Sequence, residues 1–175
     1  LYARIPANET DILNAFVKQG FLIRDTLITL IRDLRNGDIP SNTQNHYVIR
    51  PFVKRDADVL YSISINEYNH SRFFNDPEFC SKAPKMYAEW AKNDAEGDYA
   101  EVFVVEKNGE VAGYISCTCD YETRTGIINL VAVKKEYQSQ GIGKALLCHS
   151  MNVFRSKGME CVQVGTHLSN LDAVN

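Results

Sequence analysis

The chain has 175 residues, 45% of them hydrophobic and 23% charged, with a formal net charge of −3. That suffices for one well-packed domain with something appended, and the weakly acidic balance argues against nucleic acid as a partner, since nothing draws it to phosphate backbones. Apolar runs far shorter than the roughly 20 residues of a membrane span, no signal peptide, and five cysteines without disulfide or metal spacing (Cys80, Cys117, Cys119, Cys148 and Cys161) lead us to expect a soluble, cytoplasmic protein with no membrane contact and no metal.

Near the start, Ile12, Leu13, Phe16 and Val17 recur at helical spacing, and Gly20 stands where a C-terminal cap belongs. Phe21–Ile23 and Leu27–Leu30 then read as strand, broken by Arg24 and Asp25. Residues 1–35 form a helix–strand segment that cannot bury its apolar faces alone and needs a sheet to join. Residues 36–46, with Asn36-Gly37-Asp38 and Pro40, read as a linker. The main domain spans 47–175. Because the sequence opens on Leu1 and stops inside a helix-like pattern at Asn175, we expect it to be part of a longer protein, cut short at this end of the domain.

Tyr47–Phe52 is a first strand, and Asp56–Asn66 reads as a helix. A second helix runs from about Ser81 to Lys92, with Met86, Tyr87 and Trp90 on one side. Glu101–Val105 and Val111–Ile115 are joined by Lys107-Asn108-Gly109-Glu110, the strongest short signal of a hairpin. Gly126–Val133 is apolar on both faces, as a central buried strand should be. A helix over Ile142–Lys157 ends at Gly158, a strand covers Glu160–Val164, and a new helix opens near Ser169 or Asn170.

Between the apolar strand and the long helix lies Gln138-Ser139-Gln140-Gly141-Ile142-Gly143-Lys144. A nucleoside-triphosphate loop would need a Gly at Gln138 and a hydroxyl at Ala145. A dinucleotide fingerprint would need a third Gly at Leu146 and a surrounding βαβ unit, where hairpin-like strands precede instead. What remains is an anion cradle: two glycines let the backbone come close, and the helix start aims free N–H groups at negative charge. An ordinary strand-to-helix turn would also fit.

Val131-Ala132-Val133 followed by Tyr137 to Leu147 resembles the acetyl-CoA-binding core of the GNAT acetyltransferases, and the order of elements fits from Tyr47 to Asn175. The resemblance implies an α/β (α+β) GNAT fold: a mixed, mostly antiparallel central sheet flanked by helices, with splayed central strands. It implies acetyl-CoA as cofactor, pantetheine against the backbone of Leu130, Val131, Ala132 and Val133, and the pyrophosphate over Gln138, Ser139, Gln140, Gly141, Ile142, Gly143 and Lys144. Asn170 matches an Asn that commonly contacts coenzyme A. Ser71-Arg72-Phe73, Tyr87-Ala88-Glu89-Trp90 and Val164 to Asn170 are similar to TDP-fucosamine acetyltransferases and their relatives, with His167 in place of a usual Gln. The acceptor is then the primary amine of a small molecule, an amino sugar linked to a nucleotide among the candidates, with Arg72 and Asn129 as substrate-binding residues.

Acyl transfer from a thioester needs no protein nucleophile; it needs a neutral amine, a donor for the oxyanion and an acid for the thiolate. The backbone N–H of Val131 is the expected oxyanion donor. The family's general acid is a Tyr that would fall just beyond Asn175. Glu67, His70, Glu89 or a chain of waters could serve as base. Protein or peptide N-acetylation and a non-catalytic acyl-CoA-binding module stay open as alternatives, as does a homodimer.

Overall fold

The computed structural model describes residues 3–40, 47–69 and 71–170. In chain order its main elements are α1 (Thr10–Lys18), β1 (Leu27–Asp33), β2 (Val48–Pro51), α2 (Ala57–Glu67), a single turn α3 (Arg72–Asn75), α4 (Ala83–Glu96), β3 (Glu101–Lys107), β4 (Glu110–Asp120), β5 (Thr125–Val133), α5 (Ile142–Ser156) and β6 (Cys161–His167). The six strands form one sheet in the order β1-β6-β5-β4-β3-β2. All neighbours are antiparallel except β5 and β6. This is the mixed, mostly antiparallel sheet that the family resemblance implies.

Strand alternation puts one core on each face. Val104, Tyr114 and Ala132 pack with Leu60 and Ile63 of α2 and Ala91 of α4. On the other face Val105, Ile115 and Ile128 meet Ile142, Leu146 and Phe154 of α5. The β3–β4 turn takes the left-handed conformations that its Asn-Gly demands, with φ of 54° at Asn108 and 82° at Gly109. Gly158, at φ 80°, stops α5 in the same way.

Several boundaries differ from the sequence reading. Phe21–Ile23 is not strand; only the later apolar stretch enters the sheet, where β1 pairs with β6 along its whole length, Leu27 opposite His167 and Asp33 opposite Cys161. Helix α4 starts later and runs further than 81–92, with Pro84 in its first turn. Strand β6 extends to His167 because β1 offers it a partner there. Asn170 donates its N–H to the His167 carbonyl in a turn, and the helix expected to follow lies outside the described residues.

One irregularity decides what β5 can do. Ser116 of β4 faces Leu130, whereas Cys117 faces Ile128, so Asn129 is an extra residue, a β-bulge. Before it, Ile128 points to the α5 side; after it, Val131 and Val133 do. The expectation of a strand buried on both faces is thereby corrected: Asn129 is exposed, and Leu130 and Val131 are only half-buried.

At the other end of the sheet, Asp56 is 4% exposed and takes a two-pronged ion pair from Arg50, at 2.6 and 2.9 Å. The guanidinium holds the Asp56 carboxyl below its ordinary 3.8. Arg50→Ala should therefore cost about 3 kcal/mol by urea unfolding at neutral pH, because it strands a buried charge. A carboxylate with a lowered folded pKa stabilises the fold above its unfolded value and loses that contribution as pH falls. The difference between the two proteins should hence shrink below about pH 4; a constant difference down to pH 3 or so would rule out an ionic origin.

Candidate active site

Strands β5 and β6 are paired only from Thr125–Cys161 to Ile128–Val164. Beyond that point β6 keeps β1 alone, and β5 keeps β4 alone. Between them opens a cleft of about 2090 Å³. Leu130 and Val131 form one wall, Gly165, Thr166 and His167 another, and Gly143 and Lys144 stand at the α5 end. The bulge at Asn129 lies just where pairing stops, so it bends β5 away from its parallel neighbour.

The direction of the free backbone groups follows from the ladder. Lys134 donates its N–H to the Ala112 carbonyl at 2.8 Å. In an antiparallel pair the bonding alternates, so Leu130 and Ala132 bond to β4, while the N–H groups of Val131 and Val133 face the parted side. The Val133 carbonyl accepts the Gln138 side chain at 2.9 Å.

After β5 a 3₁₀ turn over Lys135–Tyr137 leads to Ser139, at φ 57°, and to Gly141, the residue capping α5, at φ 77°. The first α-helical bond of α5 runs from the Ala145 N–H to the Gly141 carbonyl. The N–H groups of Ile142, Gly143 and Lys144 precede it and point out of the helix end. A Cβ placed on Gly143 would meet nothing within 4 Å, so the space beside it is open. Such an end fits a pyrophosphate by its N–H groups and its dipole alike.

Glu67, at the end of α2, braces this loop. Its carboxylate accepts the Lys135 N–H at 3.1 Å and the Gln138 amide at 2.9 Å. It is thus occupied in holding the loop, and Glu89 is exposed and lines no part of the cleft; His70 lies outside the described residues. Gln140 is turned to other partners, donating to the Glu136 carbonyl and accepting from Lys107. Of the residues singled out in the sequence, Leu130, Val131, Gly143, Lys144, Asn170, Arg72 and Asn129 line the cleft. The side chains of Ala132 and Ile142 are buried in the two cores, so only their backbones could serve a ligand.

The far wall is aromatic. Tyr68 stacks on Tyr87 with ring centroids 4.6 Å apart, and Trp90 meets Tyr87 edge-on at 5.0 Å. Arg72 lies over the Phe73 ring at 4.6 Å and, among the described residues, makes no ion pair. Burial pushes the Tyr87 phenol up, Arg72 pulls it back and Asp25 adds to the rise. A second network surrounds the bulge: Asp94, buried, accepts from Tyr99 at 2.6 Å and from Ser116, with the Asn129 amide 3.4 Å away. Asn129 therefore belongs as much to this network as to the cleft.

Nothing here resembles an activated nucleophile. Burial pushes the Cys117 thiol up to about 12 and raises Cys119 as well, whereas a reactive cysteine needs a lowered pKa. No group of three or more His, Cys, Asp or Glu side chains among the described residues could hold a metal ion. No helix among them is long and apolar enough to cross a membrane.

Sequence reasoning missed the Glu67 brace, the Asp94 network and a hydrogen bond between His167 and Asp25 at the cleft. Only His167 carried a signal, as a departure from the Gln that the resemblance leads one to expect.

A mixed sheet whose two parallel strands part beside a helix that begins on glycine defines an α/β transferase fold of the acetyltransferase class. Residues 63–175 match the acetyltransferase (GNAT) family, and the chain belongs to it. It is 26% identical over 176 residues to the spore coat polysaccharide biosynthesis protein SpsD of Bacillus subtilis, covering 99% of this chain and 59% of that protein. An uncharacterized N-acetyltransferase of Methanocaldococcus jannaschii is 25% identical over 135 residues, 73% of this chain and 57% of the relative. The chain thus spans less than two thirds of the length of either. Among solved structures, the glucosamine N-acetyltransferase region of a fungal multi-domain β-N-acetylglucosaminidase superposes with a TM-score of 0.71 at 19% identity, over 95% of this chain and 21% of that one. That likeness is one of fold.

Proposed function

We propose that this chain is an N-acetyltransferase that moves the acetyl group of acetyl-CoA to the primary amine of a small acceptor, an amino sugar linked to a nucleotide, by direct attack on the thioester. The observation that carries the reading is the parting of β5 from β6 beside the capped start of α5. The parted edge offers backbone groups to the pantetheine arm, and the N–H groups of Ile142, Gly143 and Lys144 offer charge-matched donors to the pyrophosphate. When bound, acetyl-CoA supplies an already activated acyl group, so the transfer asks for no protein thiol.

The chain's own residues then have three tasks. The Val131 N–H, fixed by the ladder before anything binds, is the donor placed to stabilise the developing oxyanion. Arg72, a cation on the aromatic wall that makes no ion pair among the described residues, suits the phosphate of a nucleotide-linked acceptor. The relative named for polysaccharide biosynthesis points the same way. The acid for the departing thiol is the Tyr that the resemblance leads us to expect just beyond Asn175. We propose further that the protein works in the cytoplasm on small molecules.

The test has two stages. Acetyl-CoA at about a hundred times its Kd should stabilise the chain by about 2.7 kcal/mol, seen as a melting shift of several degrees. An acceptor screen with amino sugars, polyamines and N-terminal peptides, read by thiol release, should then favour the amino sugars. A chain whose melting temperature ignores acetyl-CoA would refute the reading at its first step.

A further inference from the structure

His167 ends β6 on the wall that leaves β5, and its Nδ1 is bonded to the Asp25 carboxylate. The two side chains are 21% and 13% exposed, and both border the cleft. Asp25 reaches that place from the segment before β1, because Leu27 pairs with His167 itself. Asp25 and Arg72 both act on the titration of Tyr87, so the pair sits towards the aromatic, acceptor side. The other charged groups bordering the cleft include Arg4, Arg24, Asp76, Glu78 and Lys144.

A carboxylate can only accept, so in a neutral imidazole bonded to it Nδ1 must carry the proton, and Nε2 keeps the lone pair. That is the state a general base requires, held in place by a third group. We infer that His167, oriented by Asp25, is the base that takes a proton from the acceptor's ammonium group; the inference rests on the function proposed above. In the overall transfer the acceptor nitrogen loses two protons. One is taken by His167 Nε2 and passed to water, which frees the lone pair that forms the N–C bond to the thioester carbonyl carbon. The other leaves with the sulfur, which keeps the electron pair of the broken C–S bond and departs as the thiol. His167 is the catalytic residue and Asp25 a positioning residue. The N-terminal segment thereby contributes to the site instead of merely bordering it.

The experiment compares the unsubstituted chain with His167→Gln and Asp25→Asn. The first readout needs no acceptor. In the ¹⁵N spectrum of the four histidines, the His167 signals, assigned by their loss in H167Q, should show a protonated Nδ1 and a bare Nε2. In D25N they should show a mixture of the two tautomers, which tests whether Asp25 orients the ring; the rates decide whether that orientation serves catalysis. The second readout is thiol release with glucosamine and spermidine as probe amines. H167Q should lose at least about 100-fold in kcat, and D25N should lose less, while the acetyl-CoA melting shift and the KM for acetyl-CoA stay put in both. A proton on Nε2, or transfer by H167Q within about threefold of the unsubstituted rate, would overturn the assignment and leave the proposed function standing. Loss of the melting shift in the unsubstituted chain would remove that function, and the role of the dyad with it.

Discussion

Gly141→Asp should abolish the stabilisation that acetyl-CoA gives, without unfolding the protein. Gly141 caps α5 in the left-handed region at φ 77°, and the next three N–H groups form the end proposed above to receive the phosphates. Asp is chosen because it is the side chain least likely to disturb this turn: it tolerates left-handed backbone better than most residues, and a carboxylate at a helix start favours the helix. The variant would thus stay folded with its own anion in the cradle. A pyrophosphate would have to displace or face that carboxylate, and an affinity loss of at least about 100-fold, or about 2.7 kcal/mol, is expected. Gly141→Asn, equal in shape and uncharged, should keep most of the binding. Equal melting shifts in the Asp variant and the unsubstituted chain would show that the phosphates lie elsewhere.

Gly126→Ala should be the most damaging single-methyl change in the sheet. A Cβ there would lie 2.4 Å from Cγ of Phe154, whose ring is 1% exposed in the core under α5. The aromatic ring is pressed flat on the strand, so either the ring or the whole of α5 must move. Overpacking of this kind costs about 3 kcal/mol, which for a chain of this size lowers Tm by roughly 6–12 °C. Adding Phe154→Leu should recover part of that loss, since the two changes share one contact and their costs do not add. Simple additivity in the double variant would mean that the backbone, not the ring, suffers.

Elements whose conformation is dictated by their own residues were legible in the sequence. Asn108-Gly109 can be little else than a hairpin turn, Gly158 a helix stop, and the Gln138–Gly143 stretch a turn from strand into helix, because each rests on local φ preferences or on spacing. The family resemblance implied that the central strands splay, but the place of the bulge, at Asn129, was not legible. An inserted residue inside an apolar run looks like continued strand, and only the register of β4 reveals that Ser116 and Cys117 skip over it. Nor was the point where pairing with β6 ends, at Ile128, since it follows from that bulge. The side-chain pairs at the cleft fail for the same reason. Glu67 meets Gln138 and Asp25 meets His167 across large separations in sequence, with no periodicity to announce them.

The pairing of β1 with β6 also bears on how the molecule comes to be. Among the described residues the first strand of the sheet, β1, lies against the last, β6, with Leu27 opposite His167, while β3, β4 and β5 form a meander that can assemble from local contacts. A topology weighted towards such distant pairings folds slowly. On the ribosome β1 must wait, its edge uncovered, until β6 has emerged. The cleft, whose outer wall those two strands share, accordingly takes shape only after the meander.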